Sequence, residues 1–455
     1  MSEQPVTPRM PPVVSLRSRT PGSVRAGVEE LDGRPVVVVR SGGAGGALGA
    51  AEGANLAAAA ALARRLGRPL LWAVEFSGAE VREGLDALDG WGRAARALVA
   101  CSGMAPIVFA VSGPAIGGPA LLLGLADHVV MSADSYAFVS GPAMVRQYTG
   151  EQVTTAALGG AGAHDRSSGA ASLVAPDAAG CFAAAAHLLS YLPASCEEPA
   201  PLRPTLDPPD RPTPEAGELL PASPTGSYDV RRAVEAVVDD GDLLELRAGW
   251  AANLVTGLAA IGGQPVGVVA NQPQAIAGTL DIPASQKGAR FVAFCDAFNL
   301  PLVTFVDTPG FYPGKDLEWR GMIRKGAQLA FAYARATVPR VCVTLRKSYG
   351  GAYIVMDSKF MGSDLNLAWP TAEIAVMGAK QASGIIHRRA DEAERARLEA
   401  DYEERLLNPY VAASRGSVDQ VIDPSDTRRC LAAALGALAD KRERLAPRRH
   451  DNGPL

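Results

Sequence analysis

The sequence predicts an α/β protein made of two related domains joined by internal duplication, and three observations carry that prediction. Two glycine doublets, Gly117-Gly118 and Gly350-Gly351, each follow an apolar strand-like run and stand 350 − 117 = 233 positions apart. One element earlier, "GRPLLWAVEFSGAEVREG" (Gly67 to Gly84) aligns with "NLPLVTFVDTPGFYPG" (Asn299 to Gly314), with Glu75 and Asp307 offset by 307 − 75 = 232. A fixed offset at separated landmarks marks a repeated architecture. In both halves, moreover, strand-like runs alternate with helical ones. This is the pattern of crossover units, whose ligands lie near the carboxyl ends of parallel strands.

In chain order, "RPVVVV" (Arg34 to Val39) reads as a buried strand and "GGAGGALG" (Gly42 to Gly49) as a loop. The alanine-rich run that follows reads as a helix ending at Gly67, since alanine favours helix and glycine closes it. "PLLWAVEF" and "APIVFAV" (Ala105 to Val111) are the next strands, and the second leads into "SGPAIGGPALLLG". The second half repeats the scheme through "PVGVVAN", a helix around "GARFVAFCDAFN", "PLVTFVD", a helix around "RKGAQLAFAYARA" and "PRVCVTL", and reaches "RKSYGGAYIVM". Between the halves, Pro193 to Pro224 holds ten of the 34 prolines. Such density disfavours helix and central strand and predicts an extended, semi-rigid connector. The expected domains are therefore residues 24–192 and 225–455 with a linker at 193–224, and the residues before Val24 are expected to be loosely attached.

At 455 residues and 48% hydrophobic content the chain can bury two cores. Its net charge of −4 comes from well-mixed signs, which argues against nucleic acid or an anionic membrane as partner. "PALLLGLADHVVM" (Pro119 to Met131) is broken by Asp127 and His128, so no membrane span is expected, and without an apolar signal core the expected location is the cytoplasm. Six scattered cysteines with no C-x-x-C, and five dispersed histidines, suggest reduced thiols and no metal site. No G-x-S-x-G elbow supports a hydrolase triad.

The run from Asn271 to Ala379, with its ordered motifs "VDTPGF", "RKSYGGAY" and "AWPTAEIAVMGA", resembles the carboxyltransferase (beta) subunit of biotin-dependent acyl-CoA carboxylases, of the propionyl-CoA and acetyl-CoA carboxylase type. The likeness continues through "NPYVAASRGSVDQVIDPSDTR" (Asn408 to Arg428). The first half diverges more. Gly113 to Ala171 still resembles the family's first domain, but "EFSGAEVREG" puts Ser77 where a glycine is usual and Glu80 where an arginine is usual. Pro119 follows the first doublet where the family has a residue with an N–H.

The resemblance implies two crotonase-like (ClpP/crotonase) domains assembled into hexamers. Each site would be built from the first domain of one subunit, which binds acyl-CoA, and the second domain of another, which binds carboxybiotin carried by a biotinylated alpha subunit or a biotin carboxyl carrier protein. The reaction needs two oxyanions stabilised, and preorganised backbone N–H groups do this. By match to the motifs, Gly351 and Ala352 would serve the biotin oxygen, and Gly117 and Gly118 the thioester oxygen. Ser77, Gly78, Ala79, Tyr353 and Ile354 would contact the substrate, and Pro309, Gly310, Phe311 and Gly350 would form the biotin pocket, with Asp307 at the strand end before it. Two other readings stay open: a biotin-independent decarboxylase or transcarboxylase of malonyl-type thioesters, and a non-catalytic paralogue within a mixed hexamer.

Overall fold

Two tight hairpins begin the two sheets. In the first, Asp32 and Gly33 take positive φ between antiparallel strands, and in the second Gly262 and Gly263 do the same. Two consecutive left-handed residues are what a type I′ turn needs, and its twist matches that of the strands it joins. The computed structural model describes residues 14–15, 22–41, 46–223, 225–388, 390–441, 443–447 and 449–454. Most of the segment before Val24, and 42–45 of the expected glycine loop, lie outside the described residues.

The chain divides into two units, the first ending at Pro199 and the second beginning at Ala200. Unit 1 contains strands β1 (Val14–Ser15), β2 (Arg25–Leu31), β3 (Arg34–Arg40), β4 (Leu70–Phe76), β5 (Ile107–Ile116), β6 (His128–Ser132), β7 (Tyr136–Phe138) and β8 (Leu173–Ala175). Unit 2 contains β9 (Leu244–Glu245), β10 (Leu254–Ile261), β11 (Gln264–Asn271), β12 (Leu302–Thr308), β13 (Arg340–Tyr349), β14 (Leu365–Ala368), β15 (Glu373–Ala375) and β16 (Gln420–Val421). The first sheet runs β1-β2-β3-β4-β5-β6-β8 with β7 on β5, and the second β9-β10-β11-β12-β13-β14-β16 with β15 on β13. The duplication read from the offsets is therefore a duplication of topology. It extends to detail: the β4/β5 register shifts between Val74 and Phe76, and the β12/β13 register between Val306 and Thr308.

The central strands pair in parallel, as expected, but the hairpins β2–β3 and β10–β11 are antiparallel, which alternation alone does not predict. Asp-Gly and Gly-Gly between apolar runs were the missed signal. The helix Ala50–Leu66 ends at Gly67 in the left-handed conformation, as expected. It crosses the helix Leu85–Cys101 at Gly53 and Gly90, where a Cβ on Gly53 would come within 2.1 Å of the Gly90 backbone. Strands such as β12, buried at all seven positions, place each core on both faces of its sheet.

The proline-rich segment differs from the expected connector. Pro214–Glu218 is helical, with Pro214 in the first turn, where the missing N–H has no intrahelical partner to lose. Arg203 N bonds Gly263 O at 2.7 Å, Thr213 N bonds Ser425 O at 2.8 Å, and Ala216 is fully buried. Arg428, also fully buried, donates to Pro208 O, Asp207 O and the Asp239 carboxylate. Much of the segment is thus built into unit 2.

Candidate active site

In unit 2 the chain leaves β12 at Thr308 and turns through Pro309, Gly310 and Phe311. Gly310 has φ 137, a backbone conformation that L side chains rarely adopt. Its carbonyl accepts from Leu280 N at 3.0 Å, its amide donates to Thr308 Oγ1 at 3.3 Å, and Tyr312 N donates to Leu280 O at 2.9 Å. Those bonds leave the Phe311 amide between them with no acceptor among the described residues. A second arm begins where β13 ends. Gly350–Val355 forms a short helix whose first-turn amides have no preceding carbonyls to bond. Gly351 N and Ala352 N have no acceptor among the described residues.

The two arms meet at the Phe311 ring. A Cβ on Gly351 would lie 3.3 Å from Phe311 Cε2, and one on Gly326, in the helix Met322–Arg335, 3.3 Å from Cε1. The ring therefore fits only while both neighbours lack side chains of any bulk. Gly351 is exposed, whereas the Ala352 side chain is fully buried. Ile354 is 41% exposed and so is not a core residue. Tyr353 packs against a satellite core of Ala368, Ala372, Ile374, Ala412 and Val418.

Buried polar groups brace these arms. Asp307 accepts from Arg346 Nε at 3.1 Å and from Lys347 N at 3.2 Å. Burial pushes the Asp307 carboxyl above its usual range, and the Arg346 charge opposes that shift. The Tyr349 hydroxyl donates to Glu373, and burial together with that carboxylate pushes its pKa far up.

Unit 1 repeats the first arm. Gly78 has φ 114, its carbonyl accepts from Leu48 N at 2.8 Å, and Glu80 N donates to Leu48 O at 2.9 Å. Ser77 is exposed and its amide is engaged by Gly46 O at 3.3 Å, while the amides of Gly78 and Ala79 have no acceptor among the described residues. The Glu80 side chain caps its own turn by accepting from Arg82 N. The second arm approaches closely, since a Cβ on Gly117 would lie 3.5 Å from Gly78 Cα.

The two amides of the doublet differ here. Gly117 N donates to Phe138 O at 2.9 Å, extending the β5–β7 pairing, so that amide is engaged within the fold. Gly118 N has no acceptor among the described residues, Pro119 has no N–H, and Ala120 N bonds back to Gly117 O at 3.0 Å. The motif match assigns the thioester oxygen to Gly117 and Gly118 and the biotin oxygen to Gly351 and Ala352, each pair on a single arm. The structure instead offers amides on two arms: Gly118 with Gly78 and Ala79, and Gly351 and Ala352 with Phe311. The signal was present in the same offset, because Ala79 and Phe311 are 311 − 79 = 232 apart.

Among the described residues no cluster of three His, Cys, Asp or Glu side chains could hold a metal, and no helix is long and apolar enough to cross a membrane. The six cysteines are free thiols, four of them buried.

The sequence profile of the carboxyl transferase domain family matches residues 16–453. The propionyl-CoA carboxylase beta chain of Roseobacter denitrificans is 44% identical over 397 residues, covering 87% of this chain and 78% of that one. The methylmalonyl-CoA decarboxylase subunit alpha of Veillonella parvula is 43% identical over 412 residues, 90% of this chain and 81% of that one. The crystal structure of the transcarboxylase 12S hexamer, with methylmalonyl-coenzyme A and methylmalonic acid bound, superposes with a TM-score of 0.92 at 41% identity, covering 95% of this chain and 85% of that one.

Proposed function

Because the chain belongs to the carboxyl transferase domain family, we propose that it moves a carboxyl group from carboxybiotin on a partner protein to the α-carbon of a short acyl-CoA, acetyl- or propionyl-CoA, as part of a hexamer. The chain is an enzyme, a carboxyltransferase of the propionyl-CoA carboxylase type acting on acyl-CoA. One observation carries the finer reading: each unit presents, at the carboxyl ends of equivalent strands, backbone amides with no acceptor among the described residues.

Biotin, held by a biotinylated alpha subunit or a biotin carboxyl carrier protein, supplies the activated carboxyl group. The residues of unit 2 fit such a group. The bare face of Gly351 beside the Phe311 ring suits the biotin bicycle, and the amides of Gly351, Ala352 and Phe311 suit its ureido oxygen. In unit 1 the amides of Gly118, Gly78 and Ala79 hold the thioester oxygen as charge develops on it. Fixed donors of this kind need no reorganisation during the reaction, and each contributes on the order of 2.7 to 4 kcal/mol of transition-state stabilisation. No protein nucleophile is required. The exposed, apolar Ile354 favours an uncharged acyl chain.

The direct test combines the chain with its biotinylated partner, ATP, bicarbonate and acetyl- or propionyl-CoA. Carboxylated CoA product is expected. Absence of product with every cognate partner, or carbon dioxide release from a malonyl-type thioester with no biotin protein present, overturns the reading.

A further inference from the structure

We propose that the buried pair Asp307–Arg346 is a positioning device that sets the spacing between the two amide-bearing arms of unit 2. The inference rests on the functional reading above and adds residues that touch no substrate. Asp307 stands immediately before the Thr308–Phe311 turn, and Arg346 four residues before Gly350. The β12/β13 register jumps from Val306↔Thr344 to Thr308↔Ser348, so Asp307 and residues 345–347 facing it lie outside the regular pairing. The ion pair bridges that gap. One carboxylate oxygen accepts from Arg346 Nε at 3.1 Å and the other from Lys347 N at 3.2 Å, so a single side chain on β12 holds two consecutive residues of β13.

The cation is fixed in turn. Arg346 Nη1 donates to Gly226 O at 2.9 Å, and its guanidinium lies 5.4 Å from the centroid of the Tyr228 ring. Asp307 is 1% and Arg346 8% exposed. A buried ion pair is a poor source of net stability, because desolvation offsets most of the attraction; its best-attested use is to specify register. Unit 1 lacks the device. At the equivalent positions it has Glu75 and Gly113, and a Cβ on Gly113 would lie 2.9 Å from Glu75 Cγ, so the glutamate stem occupies the room a cation side chain would need. Among the described residues Glu75 forms no ion pair.

The test uses the assembled carboxylase with its biotinylated partner. Asp307→Asn and Arg346→Met are each expected to lower kcat by about 100-fold, the effect of a misplacement near 1 Å. The KM for acyl-CoA should change by a smaller factor than kcat, since the amides proposed to hold the thioester oxygen belong to unit 1. Arg346→Lys keeps the charge but loses the fork, and should recover about a tenth of wild-type turnover. Hydrogen exchange over 346–356 should quicken in Asp307→Asn, with the peptides of unit 1 unchanged, a readout that needs no turnover. Wild-type kcat in both neutral variants, or a loss of amide protection spread through both units, overturns the positioning role. A wild-type enzyme that makes no carboxylated product overturns the functional reading instead.

Discussion

The two units share topology, hairpin turns and even a displaced register, yet they hold their second arms by different means. Unit 2 braces its strand ends with charge: Asp307 on Arg346, and the Tyr349 hydroxyl on Glu373. In unit 1 the corresponding positions are Glu75 and Gly113, and Ile116 and Tyr136, and the Tyr136 ring stacks on Phe138. Where the halves agree, they agree in backbone service. Asp127 accepts from Ile107 N at 2.9 Å and Asp364 from Arg340 N at 2.8 Å, each carboxylate anchoring the start of the central strand. The comparison teaches that duplication preserved the frame that carries the amides, while the side chains that tighten it diverged.

The largest expected effect comes from removing single amides. Exchanging the peptide N–H of Ala352 for an ester oxygen leaves the side chain in place and deletes one donor. Turnover should fall by about 10²- to 10³-fold. The same exchange at Gly118 should cost a similar factor, whereas at Gly117 it removes only the bond to Phe138 O and should appear mainly as lost stability. Single-turnover rates and melting temperatures on the three ester proteins check this. Equal losses of turnover at Gly117 and Gly118 would restore the doublet reading and break the comparison.

A smaller effect separates the units by pH. Asp357, fully buried against Arg340 at 3.0 Å, is pushed up to about 6 by burial, from an ordinary 3.8, against the pull of the Arg340 charge. The folded carboxyl thus holds its proton more tightly than the unfolded one. Its contribution to stability is fully present below the unfolded value and is lost as pH rises through about 6. Wild type should therefore gain on Asp357→Asn as pH falls from 7 to 5, on the order of 1 kcal/mol per pH unit at most. Calorimetric scans of both proteins across that range read the difference. In unit 1 the strand opens with Ile107 instead of Arg340, so the transition of that unit should show no such slope.

Much of this was legible in the sequence because the repeat was. Strands, the Gly67 helix end and the two arms all follow from periodicity and the 232–233 offset. What stayed hidden has a common cause: backbone groups have no letters. Nothing in "AIGGPA" says that the Gly117 amide is engaged by Phe138, some twenty residues on, and nothing in "SGAE" says that the Ala79 amide has no acceptor. The proline-rich segment misled for a related reason. Its composition describes an unanchored chain, but Arg428, more than two hundred residues away, collects its carbonyls.

Pro119 gives the smallest expected effect and the finest test of the comparison. The motif resemblance leads one to expect a residue with an N–H after the first doublet, and a hole built from consecutive amides would need it. If donors instead come from two arms, Gly118 on one and Gly78 with Ala79 on the other, then the missing N–H of Pro119 matters little. Its ring is buried at the start of the Gly118–Leu125 turn, where a proline removes no intrahelical bond. Pro119→Ala should therefore leave kcat and the KM for acyl-CoA within about twofold, because its added donor lies outside the three amides proposed to hold the thioester oxygen. Steady-state kinetics on the assembled enzyme decide it. A gain of about tenfold or more would mean that unit 1 reads consecutive amides, and that the two units differ in their donors as well as in their bracing.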